Sequence, residues 1–386
     1  MSAPRPEVAE VIAQAADAYR ARYGTAPAQE RLLRDLGRCR TAVLGGHKQR
    51  CDECGHEILS YNSCRNRHCP KCEGPARARW LAARAAELLP VPYFHVVFTL
   101  PSRLGPLALQ NKRVLYSLLF RAAAATLRTI ARDPKQLGAE IGFLAVLHTW
   151  GQTLQHHPHL HCVVPGGGLA PDGTHWVASR SHFFLPVRVL SRRFRRAFLT
   201  MLRAAYRQGK LRCGGRLAPF ADHAVWERSV RELERLEWVV YAKPPFGGPE
   251  RVLKYLARYT HRVAIANQRL VAVSDGTVTF HWKDYAHGQR HRTMTLEAIE
   301  FLRRFLLHRL PRGFHHIRHY GLLGNRQRAD ALALCRQLLA QAAAHSTDTE
   351  QIDDPPAPRS CPACGSQRLT ITELRPTSSQ LTPRPP

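Results

Sequence analysis

Acidic side chains are scarce in this sequence: 29 Asp and Glu stand against 57 Lys and Arg, a formal charge of +28 at pH 7 and a pI near 10.5. That imbalance exceeds what solubility needs and points to a polyanionic partner. The features of a membrane partner are missing too. There is no lipidation motif, no amphipathic anchor and no apolar run near the ~20 residues of a transmembrane helix. The opening stretch MSAPRPEVAEVIAQAADAYR carries acidic residues and no apolar signal core, so a cytoplasmic, nucleoid-associated location with reduced thiols is expected. No internal repeat is evident. With a membrane set aside, nucleic acid is the expected polyanion. The 386 residues, 44% of them hydrophobic, suffice for a sizeable core in one large domain or two.

Eleven cysteines in a chain expected to keep its thiols reduced point to metal rather than disulfides. Five fall in CDECGHEILSYNSCRNRHCPKC. Two Cys-x2-Cys knuckles, Cys51 with Cys54 and Cys69 with Cys72, are separated by 14 residues, a spacing that can place four thiolates on one structural zinc. A polar segment this short cannot bury a core, so the metal must supply its folding free energy. Cys64 has an open role. A further knuckle, Cys361 with Cys364, has no partner pair downstream and must borrow ligands or be a remnant. Cys39, Cys162, Cys213 and Cys335 read as small buried hydrophobes.

Apolar spacing predicts helices over 6–23, 28–43, about 75–89, 106–132 and 295–309. YFHVVFTL, IGFLAVLHTWGQ, HLHCVVPGG and EWVVYAKPPF read as strands, the middle two antiparallel neighbours across the short TLQHHP link. Asp275-Gly276 centres a hairpin. Residues 186–216 carry ten Lys or Arg and no carboxylate on a helical pattern, among them Arg192, Arg193, Arg195 and Arg196. Cations of one sign at that density repel unless phosphates neutralise them, so DNA contact is expected there. The tail from about 346 is rich in Pro, Ser and Thr and reads as largely disordered apart from its knuckle.

QHHPHLHCVVPGGG, residues 155–168, packs four histidines into seven positions. Residues i and i+2 of a strand share a face, so His159 and His161 stand side by side while Leu160 faces the core; the three glycines are expected to leave room for a ligand. Two imidazoles make half of a divalent metal site. With no Asp or Glu between Glu140 and Asp172, the third ligand is expected to be Gln152, with His148 and His261 as alternatives. Such a donor set admits Mg2+ or Mn2+. KYLARYTHR places Tyr255 and Tyr259 four apart on one helical face among Lys254, Arg258 and Arg262. A phenolate there can attack a phosphodiester while a metal and the cations neutralise developing charge.

HPHLHCVVPGGGL together with YLARYTHRVAIAN resembles the two-tyrosine HUH endonucleases (histidine, hydrophobe, histidine), and specifically the rolling-circle transposases of the insertion sequence ninety-one family. CDECGHEILSYNSCRNRHCPKC is similar to the zinc-binding domain that precedes the nuclease in that family, and HVVFTLP to its first nuclease motif. The resemblance implies an α+β fold, a mostly antiparallel central sheet flanked by helices and preceded by a small helical zinc-binding domain. It implies domains at 1–90, 91–330 and a C-terminal helix and tail at 331–386. It also implies a reaction: one DNA strand is cut, its 5′ end is kept as phosphotyrosine, and a 3′ hydroxyl is released. His159 and His161 would hold the catalytic metal, Tyr255 and Tyr259 would be paired nucleophiles, and single-stranded or hairpin element ends and target DNA would be the partners. A plasmid replication initiator or relaxase would share this chemistry. A non-catalytic zinc-containing DNA-binding protein would use the same residues structurally.

Overall fold

The structure is a computed structural model, and it describes residues 5–180, 185–246, 264–285, 287–343 and 360–377. The chain divides into two compact units, neither continuous in sequence: one draws on described residues within 1–76, 262–306 and 348–386, the other within 77–261 and 307–347. Both units interleave segments across the expected boundaries at 90 and 330.

The first unit opens with helices α1 (Val8–Tyr23) and α2 (Pro27–Gly37), which bury Val11, Ile12, Leu32, Leu33 and Leu36. Pro27 stands in the first turn of α2, where its missing N–H costs nothing. Strands β1 (Gly46–Cys51) and β2 (Glu57–Tyr61) follow, then helix α3 (Glu73–Ala85) runs into the second unit. Strands β9 (Leu270–Ser274), β10 (Thr277–Asp284) and β11 (Arg290–Glu297) form an antiparallel sheet followed by helix α8 (Ala298–Leu307). Asp275 and Gly276, both at positive φ (50° and 71°), make the two-residue turn expected there. Strand β13 (Leu369–Leu374) pairs antiparallel with β1, so the sheet order is β13-β1-β2. An ordered strand within 360–377 departs from the tail expected there.

The second unit is built on a five-stranded antiparallel sheet, β12 (Ile317–Gly321), β4 (Gly142–Trp150), β5 (His156–Pro165), β3 (Tyr93–Thr99) and β8 (Val240–Phe246), in that order. Together the two units bear out the α+β class. Alternation sorts the central strands into two faces. Phe94, Val96, Phe98, Phe143, Ala145, Leu147, Leu160, Cys162 and Val164 share the main core with helices α5 (Lys112–Arg132) and α6 (Val187–Arg207). On the other face Tyr93, Leu144, Val146 and Val163 pack with Leu332 and Cys335 of helix α9 (Arg328–Ala343), whereas the strand ends beyond them carry imidazoles.

Three expectations change. The helix expected over 106–132 is two, α4 (Gly105–Gln110) and α5, because buried Asn111 breaks it. Its amide donates to the Leu107 and Arg212 carbonyls and accepts from the Arg212 N–H. Helix α5 has the length and mean hydropathy of a membrane span, contrary to the apolar-run reading, yet most of it is buried in the core. The glycines after β5 accommodate protein, not a ligand, at the start of a small antiparallel pair, β6 (Gly167–Leu169) and β7 (Trp176–Ala178). A Cβ on Gly167 would lie 2.5 Å from Trp176 and one on Gly168 2.4 Å from the Glu140 carbonyl. Between β5 and β8, helix α7 (His223–Arg235) packs beside α6.

Candidate active site

His159 and His161 sit two apart on β5, and the β4–β5 register sets His148 directly opposite His159. Leu160 between the pair is fully buried in the main core, as alternation requires. Ring nitrogens of His148, His159 and His161 lie within 4.8 Å of one another. The ring of His148 is 4.5 Å from that of His161 and 5.5 Å from that of His159. Gln152, the expected third ligand, lies in the turn after β4, where Gly151 N donates to the Gln155 carbonyl. His261 lies outside the described residues.

Neighbours orient these rings. His159 donates its Nδ1–H to the His157 carbonyl at 2.7 Å, which presents Nε2. Nδ1 of His161 meets Nε2 of His95 at 2.8 Å, the rings parallel within 6°. A His161 that ligates through Nε2 carries its proton on Nδ1 and donates it to His95. This is the outer hydrogen bond that metal-bound imidazoles usually make. His148 stacks on Trp150, centroids 4.7 Å apart. Burial lowers His159 to about 4, so it is neutral and competent to ligate at pH 7. Three converging imidazoles fit a divalent cation, and donors of nitrogen alone suit Mn2+ better than Mg2+.

Beside the cluster, a buried network pins the turn that follows β4. His308 donates Nε2–H to the Leu154 carbonyl (3.0 Å) and accepts at Nδ1 from the Thr149 hydroxyl (3.2 Å). His156 Nε2 meets the Tyr116 hydroxyl at 2.8 Å. Lys112 donates to the carbonyls of Leu307 and Arg309, and burial lowers it to about 8. Burial also lowers His156 to about 3 and His308 to about 4, against 6.5 for the free side chain. Between pH about 6.5 and 4 the unfolded chain therefore binds protons that the folded chain refuses, and stability falls as pH falls through that window. Thermal melts at pH 7 and pH 5 are expected to show the loss, and His308→Gln to shrink it.

Arg192, Arg193, Arg195 and Arg196 line, with Thr129, Thr200 and Arg203, a groove of about 900 Å³ between α5 and α6. The uncompensated charge expected on 186–216 is partly met by neighbours: Arg203 pairs with Glu227 and Glu234, and Arg195 donates to the Leu236 carbonyl. Arg192, Arg193 and Arg196 remain exposed. Tyr255, Tyr259, Lys254, Arg258 and Arg262 lie outside the described residues.

The four cysteines expected on one zinc are split between two groups. Cys69 and Cys72 join Cys39 and Cys64; Cys51 and Cys54 join Cys361 and Cys364. The first group gathers where α2 ends: Cys39 Sγ is 3.4 Å and Cys64 Sγ 3.6 Å from Cys72 Sγ. These gaps far exceed a ~2.05 Å disulfide bond and approach the ~3.8 Å edge of a tetrahedron with 2.3 Å zinc–sulfur bonds. The Cys64 N–H donates to Cys39 Sγ, and burial pushes the Cys39 thiol up to about 12, so four thiolates there need a cation to ionise together. Cys39 is thus no inert hydrophobe, and Cys64 is part of this group. The sequence signal missed was Cys39 at the end of a helix, 25 residues before Cys64.

Comparison with known proteins shows the family. A family described as "Transposase zinc-binding domain" matches residues 11–100, and one described as "Putative transposase" matches residues 142–330. The chain is 53% identical over 384 residues to "Putative transposase y4qJ" of Sinorhizobium fredii (strain NBRC 101917 / NGR234), covering 97% of this chain and 96% of that protein. It is 30% identical over 295 residues to "Transposase for insertion sequence element IS801" of Pseudomonas savastanoi pv. phaseolicola, covering 75% and 68%. No solved structure matches. A basic chain with two tetracysteine groups and an imidazole cluster on an antiparallel sheet, matched over nearly its full length by a transposase, belongs to the insertion sequence ninety-one family of transposases.

Proposed function

We propose that this transposase cleaves and rejoins single-stranded DNA at element ends, with Tyr255 and Tyr259 as nucleophiles and a divalent cation held by His148, His159 and His161. The observation that carries the reading is the convergence of three imidazoles at the polar end of the central strand pair. When bound, the cation would polarise a non-bridging phosphate oxygen. A tyrosine oxygen attacks phosphorus and the P–O3′ bond breaks. The 5′ phosphate stays on the tyrosine as a phosphodiester, the phenolic proton passes to solvent, and the departing oxygen takes up a proton as a 3′ hydroxyl. Energy stored in the phosphotyrosine bond lets a later 3′ hydroxyl reverse the step, and the second tyrosine can cut while the first is occupied. His95 and the His157 carbonyl hold the ligating rings in their tautomers. Lys254, Arg258, Arg262 and the exposed arginines of α6 neutralise backbone phosphates, a contact that positions DNA without reading it. The zinc-binding domain would read the element ends, as single strand or hairpin, for rolling-circle transposition into target DNA.

The test uses labelled single-stranded oligonucleotides from the flanks of the chain's own gene, incubated with the protein and Mn2+ or chelator. A covalent adduct is expected with Mn2+ and not with chelator, carrying the label from the 3′ end of the oligonucleotide. An adduct carrying only the 5′-end label, or none in any condition, overturns the reading.

A further inference from the structure

We infer that Cys51, Cys54, Cys361 and Cys364 hold a second structural zinc, which clasps residues 360–377 onto strands β1 and β2 as a zinc ribbon. The four sulfurs lie within 4.8 Å of one another, with Cys51 Sγ 3.6 Å from Cys364 Sγ and Cys54 Sγ 3.6 Å from Cys361 Sγ. The pairs are 307 and 313 residues apart in sequence, and all four thiols are free.

The two knuckles have the same internal bonding. In CDECGH, Gly55 N donates to the Cys51 carbonyl at 3.0 Å and Cys51 N to the His56 carbonyl at 2.9 Å. In CPACGS, Gly365 N donates to the Cys361 carbonyl at 2.8 Å and Cys361 N to the Ser366 carbonyl at 2.7 Å. Gly55 and Gly365 both adopt φ near +70° (70° and 77°), a conformation that a side chain resists and that turns each knuckle back on itself. Backbone N–H groups also point at the sulfurs: those of Glu53 and Cys54 at Cys51, that of His56 at Cys54, and that of Ser366 at Cys364. Such donors stabilise thiolates and suit metal ligation. One cysteine of each knuckle, Cys51 and Cys361, is buried, and the other is exposed.

The strands carry the same relation outward. β1 and β13 pair in continuous register from Gly46↔Leu374 to Cys51↔Leu369, and the Thr370 hydroxyl donates to Asp52 at 2.8 Å. Among its described neighbours this sheet has almost no buried side chains: β2 reads as exposed at four of five positions, and β13 has none buried. Three short strands without a core are marginal in water, so the ligation energy is what holds them. β13 also covers an edge of β1 that would otherwise offer unpaired N–H and C=O groups. The orphan knuckle of the tail is therefore one half of a metal site whose other half lies in the N-terminal segment.

The inference does not rest on the cleavage reading, and its test does not measure cleavage. Metal analysis of the full chain is expected to give two zinc ions, and the Cys361→Ser/Cys364→Ser variant one. Native alkylation of the unmodified chain read by mass spectrometry provides the second measurement. Cys361 and Cys364 are expected to be protected with zinc, to react once a chelator is added, and to do so together with Cys51 and Cys54. A single zinc in the unmodified chain, two zinc ions in the variant, or equal alkylation of Cys361 and Cys364 with and without zinc overturns the site.

Discussion

The Tyr255→Phe/Tyr259→Phe double variant is expected to lose covalent attachment to single-stranded oligonucleotide by at least about three orders of magnitude, because no other group takes over in-line attack once the phenol oxygens are gone. Phe keeps the ring, so whatever packing the two side chains make is retained and the loss isolates the hydroxyls. Each single variant is expected to keep some adduct and lose strand transfer, because one nucleophile can open a strand but cannot hold two ends in turn. DNA affinity should stay within about twofold, because phosphate contacts are spread over many Arg and Lys. The measurement is an adduct that survives denaturation, quantified beside a filter-binding isotherm. A double variant that still forms the adduct at the parental level removes these tyrosines from the chemistry.

The parts of the site legible in the sequence are those fixed by local periodicity. His159 and His161 share a face because a strand repeats every two residues, and the same rule sent Leu160 inward. The hairpin at Asp275-Gly276 was legible because its turn demands residues that tolerate positive φ. What failed was non-local. Spacing alone cannot fix the register of β4 on β5, which runs unbroken from Leu144↔Val163 to His148↔His159 and shifts only beyond that pair, before Trp150↔His156. Two knuckles 14 residues apart invited a single zinc, yet each is completed by cysteines that only the fold delivers: Cys39 from the end of α2 and Cys361 with Cys364 from the tail. The triple glycine was misread for a related reason. A glycine marks a close approach, and its sequence does not say whether a ligand or, as at Trp176 and Glu140, the protein itself approaches.

His148→Gln and His161→Gln are each expected to abolish metal-stimulated cleavage, whereas Gln152→Ala is expected to leave it. The reason is geometric: three imidazoles meet at one point, and removing one of three nitrogen donors leaves a site too weak to hold its cation against water. His95→Gln separates orientation from ligation. His95 meets His161 Nδ1 and is not in the ligand group, so its loss should weaken Mn2+ affinity about 10- to 100-fold while raising Mn2+ restores cleavage. No such rescue is expected for His161→Gln. Single-stranded DNA binding should be unchanged in all four variants, because the arginine groove between α5 and α6 involves none of these side chains. Cleavage titrated against Mn2+ distinguishes the cases. If Gln152→Ala abolished cleavage while His148→Gln cleaved normally, the amide would replace the third imidazole as ligand, and His148 on β4 would be packing alone.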